Sequence, residues 1–311
     1  MIGFEHKPVL LKEVMLELDC KENGVYLDCT TGGAGHSSEI LQKIGATGYL
    51  YGIDRDINAL NHAKSVLDKI SSNYKLIKSD YSSLPSIFEQ EQLFDGILFD
   101  LGVSSPQLDN SERGFSFSKE AMLDMRLDQD ENTATARTLI NKLTKDELVE
   151  IFSKYGEEPY SKTIADFIVK ERKVSSIETT TQLSELIIRA LAGKKYKGKI
   201  HPATRVFQAL RIKVNNELEG IKETLPYAIN LLKPKGRLAV ISFHSLEDRI
   251  VKETFRAEEK GCDCPPKQPV CLCGRKSKGK IITKKPIIAS EDEIKLNSRA
   301  RSAKLRVFEK N

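Results

Sequence analysis

No uncharged apolar run in the sequence approaches the roughly 18 residues that a membrane-crossing helix requires. The opening stretch Met1-Ile2-Gly3-Phe4-Glu5-His6-Lys7-Pro8 carries Glu5, and Lys12-Glu13 follow before any apolar signal core can form, so no secretory signal is expected. Six cysteines are too few for a disulfide scaffold in a chain of 311 residues. Internal repeats are missing as well. With 40% hydrophobic and 30% charged residues, the composition excludes a collagen-like or disordered chain. What remains is a globular, cytoplasmic protein with no membrane partner, long enough for about two domains, each with its own core.

The formal net charge of +5 conceals an asymmetry. From Lys267 to Asn311 there are 13 basic and 4 acidic residues, while the rest of the chain carries a net −4. A second cationic stretch, Arg189 to Lys213, holds eight basic residues and no acidic ones. Two such stretches fit a polyanionic partner such as nucleic acid; a solvated surface with a flexible basic C-terminal tail fits the same charges.

The first hundred residues alternate strand and helix signals. Val25-Tyr26-Leu27-Asp28-Cys29 is a short apolar run followed by Gly32-Gly33-Ala34-Gly35 and then by a helical pattern through Ile40, Leu41 and Ile44. Three further strands are expected at Tyr49–Asp54, Lys75–Lys78 and Phe94–Asp100, with a helix carrying Ile57, Leu60, Ala63 and Leu67 between the first two. Apolar strands interleaved with amphipathic helices imply βαβ units and a parallel sheet covered on both faces. From about Lys119 to Asn216 the pattern is helical. Thr144-Lys145-Asp146-Glu147 reads as a capping box, and Val206, Leu210, Val214, Leu218, Ile221 and Leu225 form one continuous stripe. Strand character returns at Arg237–Phe243, after an expected turn at Lys233-Pro234-Lys235-Gly236. The expected organisation is an α/β domain, residues 1–110 and 216–311, interrupted by an all-helical insert over 111–215.

Asp28-Cys29-Thr30-Thr31-Gly32-Gly33-Ala34-Gly35-His36 joins the first strand to its helix, where glycines let the backbone turn sharply and approach a ligand. Asp54 ends the second strand 19 residues beyond Gly35, where a carboxylate can accept hydrogen bonds from both hydroxyls of an adenosine ribose. Ser38 stands where a dinucleotide fingerprint has its last glycine. That favours a nucleoside without phosphates, such as S-adenosylmethionine, over a dinucleotide; a tight turn and a surface aspartate would explain the same residues. Asp100-Leu101-Gly102-Val103-Ser104-Ser105-Pro106 lies at the carboxyl end of the fourth strand, beside the crevice where open α/β sheets bind ligands. It can be read either as an amine-accepting motif without the usual Pro-Pro-aromatic part or as a helix N-terminus.

His244, in Ser242-Phe243-His244-Ser245-Leu246-Glu247-Asp248-Arg249, is a proton acceptor or a positioned structural residue, with Ser245 and Asp248 as the expected N-cap pair of the next helix. Cys262-Asp263-Cys264 and Cys271-Leu272-Cys273 place four thiols within twelve residues. A tetrahedral zinc site, reduced thiols without metal, and a redox pair all fit that C-x-C spacing.

Taken in order, the motifs resemble one family. His6-Lys7-Pro8-Val9-Leu10, the Asp28–His36 loop, Asp100 to Asp109, Arg113-Gly114-Phe115-Ser116-Phe117, Leu123-Asp124-Met125-Arg126, Tyr155-Gly156-Glu157-Glu158, Phe207 to Ile212, Ser242 to Arg249 and Asn297 to Arg306 are similar to those of the ribosomal RNA small subunit methyltransferase H family (RsmH, also called MraW). The resemblance implies a Rossmann-like class I methyltransferase fold with a helical insert that helps to hold substrate. It implies transfer of methyl from S-adenosylmethionine to the exocyclic N4 of a cytidine in the decoding region of 16S ribosomal RNA. It also implies cofactor contacts at Ala34, Gly35, His36, Asp54, Tyr81, Asp100 and Gln107. Ala34 stands where many members have glycine, and Tyr81 where many have phenylalanine. Asp100 is the expected catalytic contact to N4. A non-catalytic RNA-binding assembly factor and a NAD-dependent oxidoreductase are the rival classes.

Overall fold

The computed structural model describes residues 8–88, 93–102, 113–129, 133–193, 200–262, 264–265, 270 and 272–311. Two compact units divide the chain, one made of Met1–Gly102 with Leu218–Asn311 and the other of Val103–Glu217.

The first unit begins with α1 (Leu11–Glu17), β1 (Val25–Asp28), α2 (Gly35–Ile44), β2 (Tyr49–Asp54), α3 (Ile57–Leu67), β3 (Tyr74–Lys78), a 3-10 turn (Tyr81–Ser83), α4 (Leu84–Ile87) and β4 (Phe94–Asp100). In the second unit follow α5 (Ala136–Lys142), α6 (Lys145–Lys154), α7 (Ser161–Glu171), α8 (Thr180–Ala190) and α9 (Thr204–Asn215). The chain returns through α10 (Glu217–Asn230), β5 (Leu232–Ser242), α11 (Ser245–Lys260), β6 (Gly279–Ile281), β7 (Ile287–Ile288), α12 (Glu291–Leu296) and β8 (Lys304–Lys310).

The strands form one sheet in the order β3-β2-β1-β4-β5-β8-β6, with β7 also paired to β8. The first five in that order are parallel, and β8 runs antiparallel to β5, β6 and β7. Because β2 and β3 lie on one side of β1 and β4 and β5 on the other, the order reverses between β1 and β4. Ligands of open α/β sheets bind outside the carboxyl ends of the strands at that point.

Strand side chains alternate between two cores, as the two-residue period requires. Tyr26, Leu50, Leu98, Ala239 and Ile241 pack with Val14, Ile40, Leu41, Ile44, Ala63 and Leu67 on one face. On the other face, Leu27, Ile53, Ile97, Phe99, Leu238 and Val240 pack with Ile221, Leu225, Ile229, Val251 and Phe255. This is the Rossmann-like α/β arrangement expected from the alternating signals.

The second unit is helical, and its one antiparallel bridge among the described residues joins Met122 to Thr179. The Thr144 side chain accepts from Glu147 N–H while the Glu147 carboxylate accepts from Thr144 N–H, which is the capping box expected there. Leu148, Ile151, Phe152, Ile164, Ile168, Leu183, Ile187, Val206 and Leu210 are buried and form its apolar faces.

Four expectations need correction. The stripe from Val206 to Leu225 is not one helix, since Asn216 adopts a left-handed conformation (φ 50°) and separates α9 from α10. The expected turn at Lys233–Gly236 lies inside β5: Phe94 pairs with Leu232 and Gly96 with Arg237, so the intervening residues bulge from the ladder. A bulge accommodates Pro234, which has no N–H to contribute. The N-cap of α11 is His244 rather than Ser245. Finally, the flexible-tail reading of the basic C-terminal segment fails over Lys304–Lys310, because β8 supplies the antiparallel strand beside β5 and buries Leu305, Val307 and Phe308. Arg306, within that strand, is only 8% exposed and ion-paired to Asp248 at 2.6 Å. Among the described residues, no helix is long and apolar enough to cross a membrane.

Candidate cofactor and active site

The loop after β1 is held from below by buried carboxylate chemistry. Asp28, 1% exposed, accepts from the Ser37 hydroxyl at 2.6 Å and from Thr30 N–H at 3.1 Å. Burial pushes its carboxyl up to about 6, against the pull of those two hydrogen bonds. Ala34 turns the loop into α2 in the left-handed region (φ 64°) with its methyl fully buried. An L-residue is strained in that region, which is why glycine suits the position better. At Gly35 a Cβ would meet Pro8 at 3.0 Å, so the absence of a side chain is what lets the loop lie against the chain before α1. Ser38 sits within the first turn of α2, its hydroxyl donating back to the Gly35 carbonyl at 2.9 Å.

Asp54, at the end of β2, is oriented by main-chain donors. One carboxylate oxygen accepts from Gly32 N–H at 2.8 Å and the other from Asp56 N–H at 2.9 Å. A carboxylate offers about four acceptor positions, so this clamp leaves capacity on both oxygens. Burial raises its pKa, and the two N–H donors act in the opposite direction. Beyond β3, the Tyr81 ring stands edge-on to Phe99 with centroids 5.7 Å apart, and the Arg55 guanidinium lies 5.7 Å from its centre. Arg55 is in turn ion-paired to Asp80. Tyr81 is thus fixed between the residue that follows Asp54 and the residue that precedes Asp100.

At the end of β4, Asp100 N–H donates to the Thr30 hydroxyl at 2.6 Å. The Asp100 Oδ2 lies 3.6 Å from His36 Nδ1, while His36 Nε2–H donates to the Val9 carbonyl at 3.0 Å. A neutral imidazole holding its proton on Nε2 presents Nδ1 as an acceptor. Asp100 Oδ1 is buried with no hydrogen-bond partner among the described residues. Burial pushes the Asp100 carboxyl up to about 8, and the charges of Asp28 and Glu247 add to that rise. Asp28, Asp54 and Asp100 thus end three neighbouring strands, and Asp54 and Asp100, the less buried two, favour a proton-donating ligand beside them.

Of the expected site residues, Ala34, Gly35, His36, Asp54, Tyr81 and Asp100 all lie along the carboxyl edge of β1 to β4; Gln107 lies outside the described residues. His244 instead serves as a helix cap: its Nδ1 accepts from Glu247 N–H at 3.3 Å, and the Glu247 carboxylate accepts from Phe243 N–H at 2.8 Å. Two positioning residues escape a sequence reading. Thr30 carries no signal beyond its place in the loop, and Arg55 reads as one more surface cation until Tyr81 is seen beneath it.

The model of the MraW methylase family matches residues 3–311. The chain belongs to the MraW methylase family. Members similar to it include the ribosomal RNA small subunit methyltransferase H of Halothermothrix orenii, 50% identical over 308 residues and covering 98% of each chain. The proteins of that name from Heliobacterium mobile and Clostridium botulinum (strain Loch Maree) are 49% and 48% identical, with 99% of each chain covered. A solved rRNA methylase structure from Streptococcus thermophilus aligns more loosely, covering 100% of this chain and 98% of its own at 10% identity with a TM-score of 0.44.

Proposed function

We propose that this MraW methylase family member transfers a methyl group from S-adenosylmethionine to the exocyclic N4 of a cytidine in the decoding region of 16S ribosomal RNA, in the small ribosomal subunit and in the cytoplasm. Family membership and relatives named ribosomal RNA small subunit methyltransferase H support the reaction class. The observation that carries the reading is Asp100, which ends β4 at the switch point with a buried carboxyl oxygen that pairs with no described residue.

The residues fit the donor. S-adenosylmethionine, when bound, supplies an electrophilic methyl group on a sulfonium. Asp54, pre-oriented by Gly32 and Asp56, accepts from the ribose hydroxyls; the backbone at Ala34 and Gly35 admits the ligand closely; and Tyr81 offers an aromatic face to adenine. Gln107 completes the contact set that the resemblance implies.

The cytosine amine is a poor nucleophile because its lone pair is delocalised into the ring, so the site must align N4 and accept a hydrogen bond as charge develops there. The buried Asp100 Oδ1, which pairs with no described residue, supports its role as the acceptor of that bond. Burial raises the pKa of the Asp100 carboxyl, so it orients the amine more than it neutralises the cationic donor, whose charge must vanish on transfer. A base held by pairing or stacking cannot reach this crevice, so the cytidine is extruded.

A labelled-methyl assay on free 16S RNA, small subunits and whole ribosomes tests the proposal. Label in N4-methylcytidine of small subunits supports it. No incorporation into any RNA form would leave a non-catalytic assembly factor as the better account, and binding of NAD in preference to S-adenosylmethionine would favour an oxidoreductase.

A further inference from the structure

After α11 the chain runs through Gly261 into a loop that ends at β6. Gly261 is left-handed (φ 66°), and a Cβ there would lie 2.2 Å from Ser277 N, so only glycine lets the outgoing and returning strands touch. Lys278 N–H donates to the Glu258 carbonyl at 2.9 Å, and the Arg275 and Lys278 side chains both reach the Glu258 carboxylate. The base of the loop is therefore closed. Among its described residues, Val270 and Leu272 are 66% and 78% exposed.

Of the four thiols expected as ligands, Cys271 lies outside the described residues, and the other three converge there. The sulfurs of Cys262, Cys264 and Cys273 all lie within 4.8 Å of one another, and those of Cys262 and Cys273 are 3.8 Å apart. A tetrahedral centre with Zn–S bonds of about 2.3 Å places neighbouring sulfurs about 3.8 Å apart. The Leu272 N–H points at Cys264 Sγ at 3.3 Å, a donor aimed at sulfur of the kind that stabilises a thiolate. Spacing, convergence and a main-chain donor point to the same ligand chemistry.

We propose that Cys262, Cys264 and Cys273 bind one zinc ion that staples the loop between α11 and β6. Thiolates select a soft, tetrahedral cation, and the position of the loop beyond the end of α11 makes its role structural rather than catalytic. Binding displaces thiol protons to solvent, so affinity rises with pH.

The test uses full-length protein prepared without chelator. Elemental analysis is expected to find about one zinc per chain, falling at least tenfold in Cys262→Ser and Cys273→Ser. Because a variant can lose metal by misfolding, metal-stripped wild type is also titrated with Co²⁺ and read by absorption. Intense tetrahedral d–d bands with sulfur-to-cobalt charge transfer are expected. Removal of metal should also open the Arg275-Lys276 segment to trypsin while S-adenosylmethionine affinity is unchanged. Protein without zinc, a weak octahedral cobalt spectrum, or serine variants that hold metal as wild type does would each overturn the proposal.

Discussion

The backbone N–H of Asp100 donates to the Thr30 hydroxyl at 2.6 Å, tying the end of β4 to the loop after β1 at the point where the strand order reverses. That bond fixes the main chain of the proposed amine acceptor relative to the proposed cofactor loop. Thr30→Val keeps the shape of the side chain and removes the acceptor, leaving a donor unsatisfied at a cost of about 1–3 kcal/mol. Single-turnover methylation is expected to slow by about tenfold or more, since each 1.4 kcal/mol of transition-state stabilisation is about tenfold in rate. Affinity for S-adenosylmethionine should change little. An unaltered rate would show that the bond does not position Asp100.

Asp54→Ala removes the acceptor for the ribose hydroxyls and also releases Gly32 N–H and Asp56 N–H. Loss of charge-assisted hydrogen bonds predicts a loss of about 2 kcal/mol in cofactor binding, roughly thirtyfold in Kd. Asp54→Asn retains one acceptor oxygen and should fall between alanine and wild type. Calorimetry checks both, and wild-type affinity in the alanine variant would remove Asp54 from the cofactor site.

The β1 loop and the strand ends were legible because their signals are local. Glycines beside an apolar run and an aspartate closing the next strand specify a βαβ crevice whatever surrounds them. The capping box at Thr144 is equally local. Contacts distant in sequence were not legible. Nothing near Arg306 announces that it lies inside a strand against Asp248, 58 residues away, so its charge reads as part of a solvated tail. The cap of α11 was missed because histidine is an uncommon N-cap, and only the geometry reveals that its Nδ1 accepts from Glu247 N–H. The break at Asn216 was hidden by an apolar period that continues through it.

Asp28 and Asp100 carry pKa values raised to about 6 and about 8, mainly by burial. The folded protein therefore keeps protons that the unfolded chain releases near pH 4. Stability from these protons is fully present below about pH 4 and is lost as pH rises through 6 and 8. Asp100→Asn has no proton to lose there. Between about pH 5 and pH 8.5 the cofactor-free variant should gain at least about 1 kcal/mol over wild type in urea unfolding. Parallel pH profiles would contradict the raised value for Asp100.

Arg306 and Arg299 with Arg301 should behave as different kinds of residue. Arg306→Gln leaves Asp248, itself 13% exposed, beside Lys304 as its remaining cationic partner. Removing one partner of a buried pair costs about 3–5 kcal/mol, and some of that is recovered through Lys304. A lower melting temperature with an unchanged salt dependence of RNA binding is expected. Replacing Arg299 and Arg301 by Gln should flatten the log–log salt slope by up to about two. If Arg306→Gln flattens the slope without loss of stability, the side chain contacts phosphate instead of Asp248.

Asp100 as the contact for N4 is the central claim, and single-turnover methylation of small subunits at saturating S-adenosylmethionine tests it most directly. If Asp100 accepts a hydrogen bond from the amine mainly in the transition state, Asp100→Ala should lose about 3 kcal/mol of stabilisation, roughly a hundredfold in rate, whatever the cofactor concentration. Asp100→Asn, which keeps a carbonyl oxygen, should fall between alanine and wild type. Full recovery of the alanine variant at saturating cofactor would contradict the assignment and make Asp100 an anchor for the donor alone.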